Sequence, residues 1–386
     1  MNFSGAGERG PTPGANILSF IGRVLLAISI PVIAFYILYQ GFLFLRDSDA
    51  PQGVIALVAI FWGVGGVALL YWIFNNFVER LPDEWTARLQ PFVFVGPALA
   101  ILAWYLAIPT IRTFWISLFD RDGPSETLSF WQQITSEGFV GLSNYVAVFT
   151  ERLMLEAFRN NLMWIIFGST FSIVFGLLIA VLADRSRFEK LAKSLIFLPM
   201  AISFVGASII WNFIYEFRPV DQPQIGLLNS ILVSLGGVPR AWAQWVDISP
   251  FNNLFLIVIV VWLQAGYAMV LFSAAIKGIP DDLLEASRVD GANEFQIFFK
   301  IMIPYIQGTI ITVWTTVVIF TLKIFDVVWV MTGGQFGTHV ISTQFYRQSF
   351  TNSNSGFGSA IAIVLLIAVI PVMIYNLRQF REQEAF

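Results

Sequence analysis

The chain has no cysteine, a single histidine and few charged residues. Without cysteine, no disulfide, thiolate metal site or cysteine nucleophile can form. The lone histidine, His339, stands in a polar stretch, which indicates an ordinary loop residue rather than a metal ligand or a general base. No Gly-x-x-x-x-Gly-Lys-Ser/Thr sequence occurs, so the chain lacks the phosphate-binding loop of an ATPase. Any ATP hydrolysis that drives this protein must therefore come from another chain.

The composition is that of a membrane protein. Hydrophobic residues make up 57% of the 386 residues and charged residues only 12%, with a mean hydropathy of +0.73. Soluble domains contain about 25% charged residues. The net charge of −3 is too small to indicate nucleic acid or an acidic partner. We therefore predict an all-α polytopic membrane protein.

Eight segments are apolar over the length of about 20 residues that a helix needs to cross a bilayer. They lie at about 24–45, 53–77, 92–111, 160–183, 194–215, 253–274, 305–331 and 357–377. The first segment is too long for the apolar region of a signal peptide, and no small-residue cleavage site follows it. We interpret it as a retained helix, so the sequence predicts about eight transmembrane helices.

The distribution of basic residues predicts the orientation in the membrane. An even number of spans places both termini on the same side. Lysine and arginine are roughly twice as dense in the segments that are cytoplasmic when the N-terminus is inside. This asymmetry predicts cytoplasmic N- and C-termini. Residues 1–16, with four glycines and two prolines, are predicted to be a flexible cytoplasmic tail.

A polar segment separates the sixth and seventh predicted spans. It must lie outside the hydrocarbon, because unpaired charges in lipid are costly. Its residues predict a helix–turn–helix, in which Gly291 ends a first helix that begins at Pro280. Residues 292–303 are predicted to form a second, amphipathic helix that Pro304 ends.

The same segment carries residues at a fixed spacing, Glu-Ala-Ala-x-x-Asp-Gly-Ala-(x)5-Phe-x-x-Ile-x-x-Pro. The pattern is matched by Glu285, Ala286, Asp290, Gly291, Ala292, Phe298, Ile301 and Pro304. Ser287 replaces the second alanine, which exchanges one small residue for another. The pattern closely resembles the EAA loop of the membrane subunits of ABC importers. The resemblance implies that the partner ATPase is coupled through Glu285, Ala286, Ser287, Asp290, Gly291 and Ala292.

From about residue 92 onward, the order of elements resembles the six-helix type I permease core of maltose-type carbohydrate importers. The C-terminal third looks closest to the α-glucoside branch, through Lys323-Ile-Phe-Asp-Val-Val-Trp-Val-Met-Thr-Gly-Gly334. The resemblance divides the chain into three parts: the flexible tail at 1–16, two extra N-terminal transmembrane helices at 17–91 and a permease domain at 92–386. The coupling loop lies within the permease domain, at 275–304.

Membership of this family implies a transport function and a set of partners. The chain would form the translocation path for a sugar, such as an α-glucoside or another small oligosaccharide or glycoside, in a bacterial inner membrane. Expected partners are a second, different permease subunit, two ATP-binding subunits and an extracytoplasmic solute-binding protein. ATP and magnesium would bind to the ATP-binding subunits. No cofactor is expected in this chain, which would not itself be an enzyme.

Polar side chains within the predicted spans are candidates for contact with the solute, because placing them in lipid is costly. Gln264 and Tyr267 lie at i and i+3 on one helix face, within Trp262-Leu-Gln-Ala-Gly-Tyr267. This element resembles the Trp-Leu-(x)3-Tyr of maltose-type permeases, whose tyrosine helps to line the sugar site. The alternative is that the two side chains form hydrogen bonds between helices.

A second polar face is predicted in the following span. Within one narrow arc of a helix lie Thr312, Thr316, Phe320 and Lys323. Counting back from Gly333, the resemblance places the last three at sugar-contacting positions of the maltose branch. Phe320 and Lys323 replace asparagine there, which argues against maltose itself but not against sugars. Lys323 can pair with Asp326 three residues on, so the two residues form either a structural ion pair or part of the cavity.

Three other functions are possible for a polytopic membrane protein of this composition. An ion-coupled secondary transporter would use Lys323 and Asp326 as its coupling pair, but inverted repeats are not evident. A membrane-bound glycosyl-transfer enzyme would need acidic clusters at the ends of the spans, and the loops contain only scattered acids. An ABC permease for a non-sugar solute would share the coupling loop. The EAA-like segment favours an importer over the first two functions.

Overall fold

The computed structural model describes part of the chain in detail. The described residues are 33, 36, 37, 39–47, 50–79 and 83–384. The predicted tail at 1–16 and most of the predicted span at 24–45 lie outside them. Contacts divide the chain into two units, 1–109 and 110–386, which are treated separately below.

The described residues of the first unit are helical except for Ala50, Pro51 and Glu79. Residues 39–47 are helical, and α1 (Gln52–Val78) confirms the helix predicted at 53–77. Helix α2 (Asp83–Leu102) continues into a π-helical turn, Ala103–Ala107. The Thr86 hydroxyl donates to the carbonyl of Val78 at 2.8 Å and so joins the two helices.

The second unit is also built from helices, and no strand occurs among the residues that the structure describes. A single antiparallel bridge joins Phe119 and Phe139. The helices are α3 (Ile108–Ser117), α4 (Phe130–Ile134), α5 (Ser143–Thr150), α6 (Arg152–Met163), α7 (Ser169–Asp184), α8 (Glu189–Phe197), α9 (Phe204–Tyr215), α10 (Leu227–Ser234), α11 (Asn253–Lys277), α12 (Asp281–Val289), α13 (Glu294–Ile297), α14 (Ile303–Tyr305), α15 (Gln307–Leu322), α16 (Asp326–Thr332), α17 (Ile341–Tyr346) and α18 (Ser355–Glu384). The predicted all-α class is confirmed.

Several of these helices are long and apolar enough to cross a membrane. In the described part of the chain, four qualify unaided: Gln52–Val78, Arg152–Asp184, Asn253–Lys277 and Ser355–Arg378. Two bent pairs would each add one span: Glu189–Ala201 with Phe204–Tyr215, at 103°, and Glu294–Tyr305 with Gln307–Leu322, at 69°. The predicted segment 92–111 is helical but is not among these six, so the total of eight spans stays a prediction.

The segment predicted as one helix at 194–215 is broken. Its first part ends in a 3-10 turn, Leu198–Ala201, that contains Pro199. Ser203 then caps α9, because its side-chain oxygen accepts a hydrogen bond from the backbone N–H of Gly206 at 3.0 Å. A proline followed by a capping serine ends one helix and starts another, and this local signal prevails over the continuous apolar composition.

The prediction of one helix over 305–331 is also wrong. Helix α15 ends at Leu322, and the backbone of Lys323 leaves the helical conformation before α16 begins at Asp326. At the other end, Pro304 does not stop the preceding helix. A π-helical turn, Phe298–Met302, comes directly before it, and the helix continues to Tyr305 before it bends. Bends of this size are typical of prolines and π turns.

Helices α7 and α11 pack closely at the centre of the second unit. A Cβ on Gly176 would lie 2.4 Å from the Cβ of Ala268, and one on Gly266 would lie 2.6 Å from the carbonyl oxygen of Ile196 on α8. Such small residues let membrane helices approach to backbone contact. Helix α11 therefore packs closely against both α7 and α8.

Candidate coupling loop and transport path

The segment that follows α11 folds as two short helices joined by a tight turn. Helix α12 begins after Pro280 and carries two aspartates in its first turn, where the helix dipole favours negative charge. Gly291 forms the turn with φ +81°, a conformation that glycine adopts without strain. Asn293 then caps α13, since its Oδ1 accepts from the backbone N–H of Gln296 at 2.9 Å. The helix–turn–helix predicted from the sequence is present, with its second helix beginning at Glu294 rather than at Ala292.

Most of the predicted coupling residues lie on the surface of this loop. Glu285, Ala286, Asp290 and Gly291 are exposed, and Ala292 is half-buried. Two large apolar side chains beside them are also open to solvent, at 87% for Val289 and 78% for Phe295. An exposed surface of this kind, with acidic and apolar groups together, is suited to contact with another protein.

Ser287 differs from the other predicted coupling residues. It is buried, and its hydroxyl donates to the carbonyl of Leu284 at 2.7 Å. Its side chain therefore faces the body of this chain and is not part of a surface offered to a partner. The exchange of alanine for serine is accommodated by that internal hydrogen bond.

An ion-pair cluster that the sequence did not reveal joins the loop to the end of α7. Arg185 lies 2.5 Å from one carboxylate oxygen of Glu294, and Arg288 lies 3.4 Å from the other. On the far side of the loop, the Tyr305 hydroxyl donates to the carbonyl of Gly278 at 3.2 Å. The middle of the loop is thus joined by an ion pair to the end of α7, and the two ends of the loop are joined to each other by a hydrogen bond.

A second charged cluster joins the neighbouring ends of α7, α8 and α11. Lys193 pairs with Asp184 and, at 2.6 Å, with Glu189, which also pairs with Lys277. The Ser273 hydroxyl donates to the carboxylate of Asp184 at 2.7 Å. The Lys193 side chain is only 18% exposed, so this cluster is better shielded from water than the pairs on the coupling loop. Both clusters lie at the end of α11 from which the loop emerges.

The first pair of predicted path residues lies on α11. Gln264 and Tyr267 are half-buried, and neither side chain has a hydrogen bond within the described part of the chain. Tyr267 packs against a buried cluster that includes Val313 and Val317 of α15. The structure therefore brings the helix of Gln264 and Tyr267 against the helix of the second predicted group. The alternative, in which these two side chains bond to neighbouring helices, is not observed in this chain.

The second group is divided by the end of α15. Thr316 is exposed and its hydroxyl donates to the carbonyl of Thr312 at 2.8 Å, whereas Phe320 stacks on Phe204 of α9 at 4.6 Å. Lys323 lies beyond the helix. Lys323 therefore does not continue the helical face on which Thr312, Thr316 and Phe320 lie. Phe320 packs two helices together.

Lys323 and Asp326 do not form the predicted ion pair. Both side chains are exposed, and no ion pair joins them among the residues described. The predicted pairing required an i, i+3 spacing on one helix. The backbone turns between α15 and α16, so the two residues lose that geometry.

An open apolar groove of about 580 Å³ runs between α7, α8, α9 and α11. Trp211 and Trp262 meet edge to face in its wall, with ring centroids 6.0 Å apart. The indole N–H of Trp211 is buried and has no hydrogen-bond partner in the described residues. None of the six predicted path residues lines this groove. Trp262 stands two positions before Gln264, in the same sequence element. That element therefore does mark this region, but through its tryptophan rather than through Gln264.

Comparison with known proteins places these features in a family. The protein-family model described as "Binding-protein-dependent transport system inner membrane component" matches residues 172–382. The osmoprotective compounds uptake permease protein GgtC of Synechocystis sp. is 50% identical over 292 residues, which are 76% of this chain and 99% of that protein. The α-glucoside transport system permease protein AglF of Rhizobium meliloti is 43% identical over 332 residues, which are 84% of this chain and 94% of that protein.

The fold is similar to that of solved transporters. A chain of a bacterial ABC transporter involved in the import of alginate superimposes with a TM-score of 0.61 at 19% identity. The match covers 78% of this chain and 99% of that chain. At this level of identity the likeness concerns the fold of the membrane component.

Proposed function

The chain belongs to the family of inner membrane components of binding-protein-dependent transport systems, and on that premise we propose that it forms the translocation path of an ATP-driven importer for a small glycoside. The relatives named for α-glucosides and for osmoprotective compounds match it over nearly their whole length. Family members of this kind are membrane components rather than ATPases, and the chain contains no phosphate-binding loop. Membership of this family favours the importer over the ion-coupled transporter and the glycosyl-transfer enzyme.

The observation that carries the proposal is the shape of the loop between α11 and α15. Two short helices present Glu285, Asp290 and the turn at Gly291 on an exposed surface, directly between two apolar helices. We assign this loop as the coupling helix that docks into a cleft of an ATP-binding subunit. Exposed Val289 and Phe295 supply apolar contacts, and the carboxylates supply charge for basic groups of the partner.

Docking at this loop gives a physical route to the transport path. Movement of an ATPase displaces α12, and the connection through Glu294 to Arg185 transmits that displacement to α7. Because α7 packs on α11 with backbone contact, the pair moves as a rigid body. This motion would expose the path first to one side of the membrane and then to the other.

The remaining parts of the importer are proposed from the family. A second, different permease subunit and two ATP-binding subunits would complete the membrane complex, and a solute-binding protein would deliver the glycoside. The coupling loop and both termini would be cytoplasmic, with two added helices over 17–91 and the permease domain over 92–386. Gln264, Tyr267, Thr316, Lys323 and Asp326 are accessible in the isolated chain and are assigned to the path.

Uptake into proteoliposomes that contain the complete importer tests the proposal. We expect uptake of radiolabelled trehalose to stop on ATP depletion and to continue in the presence of an uncoupler. Unlabelled sucrose, maltose and glucosylglycerol serve as competitors, and glycine betaine is the non-sugar control. Competition by at least one glycoside but not by betaine supports a sugar path. Collapse with the uncoupler, or competition by betaine alone, would contradict it.

A further inference from the structure

A small pocket lies at the end of α11 that is remote from the coupling loop. The Tyr215 hydroxyl on α9 donates to the carbonyl of Phe255, in the first turn of α11, at 2.9 Å and fixes α9 there. The pocket has a volume of about 150 Å³ and lies between the end of α9, the turn Trp242–Gln244 and Met331 of α16. At a rise of about 1.5 Å per residue, the 25 residues of α11 separate it from the coupling loop by more than 30 Å.

The pocket is lined by polar groups that this chain leaves unused. Asn212, Glu216 and Gln244 line it, and none of their side chains has a hydrogen bond to another described residue. The side chains of Phe217 and Met331 form an apolar part of the pocket lining. One carboxylate and two amides together offer both donors and acceptors, arranged beside an apolar surface.

Buried asparagines hold the walls of the pocket in place. Asn229 is fully buried, and its Nδ2 donates to the carbonyls of Glu216 at 2.9 Å and Arg240 at 3.0 Å. Its Oδ1 accepts from the backbone N–H of Arg240 at 2.9 Å. Asn252, also buried, donates to the carbonyl of Ala243 at 3.1 Å. Asn252 also donates to the carbonyl of Phe336 at 2.8 Å, so it joins this side of the pocket to the segment after α16. Walls held by buried amides in this way are typical of a preorganised site.

We propose that this pocket is a subsite for one ring of a hydroxyl-rich solute as it enters the path. A volume of about 150 Å³ corresponds to about five water molecules, which suits one sugar ring or polyol better than a disaccharide. Sugar hydroxyls both donate and accept, as the carboxylate and the amides require, and the C–H face of a ring suits Phe217 and Met331. A metal ion is a poorer fit, because no group of three metal-binding side chains occurs in the described residues.

Helix α9 connects the pocket with the apolar groove. Asn212 and Glu216 line the pocket, and Trp211, the neighbour of Asn212, lines the groove. A solute released from the pocket would therefore meet an aromatic surface next. The inference rests on the proposed transport of a glycoside. It assigns the pocket as the place where the solute first contacts this chain.

The test uses the complete importer in proteoliposomes, with trehalose and glucosylglycerol as probes. Two quantities are measured: sugar uptake per ATP hydrolysed, and the concentration of loaded solute-binding protein that gives half-maximal ATPase activity. We expect Glu216→Gln and Gln244→Ala to lower uptake per ATP about three- to tenfold, the effect of losing one hydrogen bond. Ala241→Leu, which fills the pocket without removing a polar group, should do the same.

Matched controls lie in the same loop outside the pocket. Asp221→Asn and Gln222→Ala change exposed residues of the same types and should leave uptake per ATP unchanged. If the pocket variants instead shift only the half-maximal concentration of the binding protein, the pocket is a protein-docking contact and the inference is overturned. Wild-type uptake per ATP in all three pocket variants overturns it too. Failure of the proposed function is distinct, because then the unmodified importer would carry neither probe.

Discussion

Single buried polar residues determine how the irregular backbone of this chain is held. Asn160 donates to the carbonyls of Gly337 and His339, both at 2.8 Å, and Asn161 accepts from the backbone N–H of Ile341 at 2.8 Å. These bonds satisfy backbone groups between α16 and α17 that no helix can pair. His339 lies in the loop between these two helices, as predicted, and is buried there beside the guanidinium of Arg347.

His339 makes the stability of this region depend on pH. Burial, together with the positive charge of Arg347, lowers the pKa of His339 from 6.5 to about 4. The neutral side chain therefore contributes stability fully above pH 6.5, and this contribution is lost as the pH falls from 6.5 towards 4. At about 1.4 kcal/mol per pKa unit, the loss is about 3 kcal/mol at most. The melting temperature in detergent, measured from pH 7.5 down to pH 4, should fall over this window.

The matched variant for this prediction is His339→Gln, which keeps a polar side chain but cannot titrate. Carboxylates elsewhere contribute to any acid destabilisation, so the informative quantity is the difference between the two proteins. The His339→Gln protein should lose less stability between pH 6.5 and pH 4. Parallel pH profiles for the two proteins would show that His339 is not the titrating group.

At the scale of elements, short-range signals predicted some boundaries and hydropathy missed others. The turn at Gly291 and the helix that follows Pro280 could be predicted, because glycine and proline act on their own backbone. The break before Ser203 has a local signal, since Pro199 is followed by a capping serine, but hydropathy alone does not detect it. The break after Leu322 could not be predicted in this way, because a run of apolar residues looks the same whether the helix bends or continues. The expected pairing of Lys323 with Asp326 depended on a continuous helix at that position.

The candidate site also has some features that a local sequence pattern predicts and others that only the structure reveals. The predicted coupling residues come from a fixed spacing along one segment, and all of them except Ser287 are at least partly exposed. The ion pair between Arg185 and Glu294 joins residues 109 positions apart, so no local pattern could reveal it. The polar pocket at the far end of α11 is likewise assembled from separate segments. The sequence predicted features that lie within one continuous segment, whereas contacts between distant segments could be identified only from the structure.

The turn of the coupling loop gives a prediction at the same scale. Gly291 has φ +81°, and its N–H donates to the carbonyl of Arg288 at 3.1 Å. Gly291→Pro removes this donor and forces a negative φ, so the turn between α12 and α13 must open. We expect ATP-driven uptake to be lost while the protein still inserts and assembles, since the apolar helices are unchanged. Uptake and recovery of the purified complex are the two measurements.

Gly236 provides a closely matched control in another loop. It has φ +83°, and its N–H donates to the carbonyl of Val233 at 2.9 Å. A Cβ at either glycine would meet no atom within 4 Å, so the two substitutions impose similar local strain. Gly236→Pro should retain most of the uptake. Equal loss in both variants would mean that strain in any loop inactivates the protein, and the coupling role of Gly291 would be wrong.

At the scale of the whole molecule, the proposed transport cycle requires a movement to pass from the coupling loop to the path. Two contacts connect these regions: the backbone approach of α7 to α11 and the ion pair between Glu294 and Arg185. An exposed ion pair contributes only about 0–1 kcal/mol to stability. We therefore infer that this pair aligns the loop with α7 and adds little to the stability of the fold. If the loop and α7 move together, joining them covalently should cost little activity.

The absence of cysteine makes this directly testable, because Arg185→Cys with Glu294→Cys introduces the only two thiols in the chain. The ends of the native side chains meet at 2.5 Å, and two cysteines at these positions leave a gap that a short bis-maleimide reagent should span. We expect the linked importer to retain most of the ATP-driven uptake of the unlinked double variant, because a rigid body gains no new constraint. Each single-cysteine variant treated with the same reagent controls for modification alone. Loss of uptake that follows only from the link would mean that the loop separates from α7 in each cycle, and the rigid-body route would have to be abandoned.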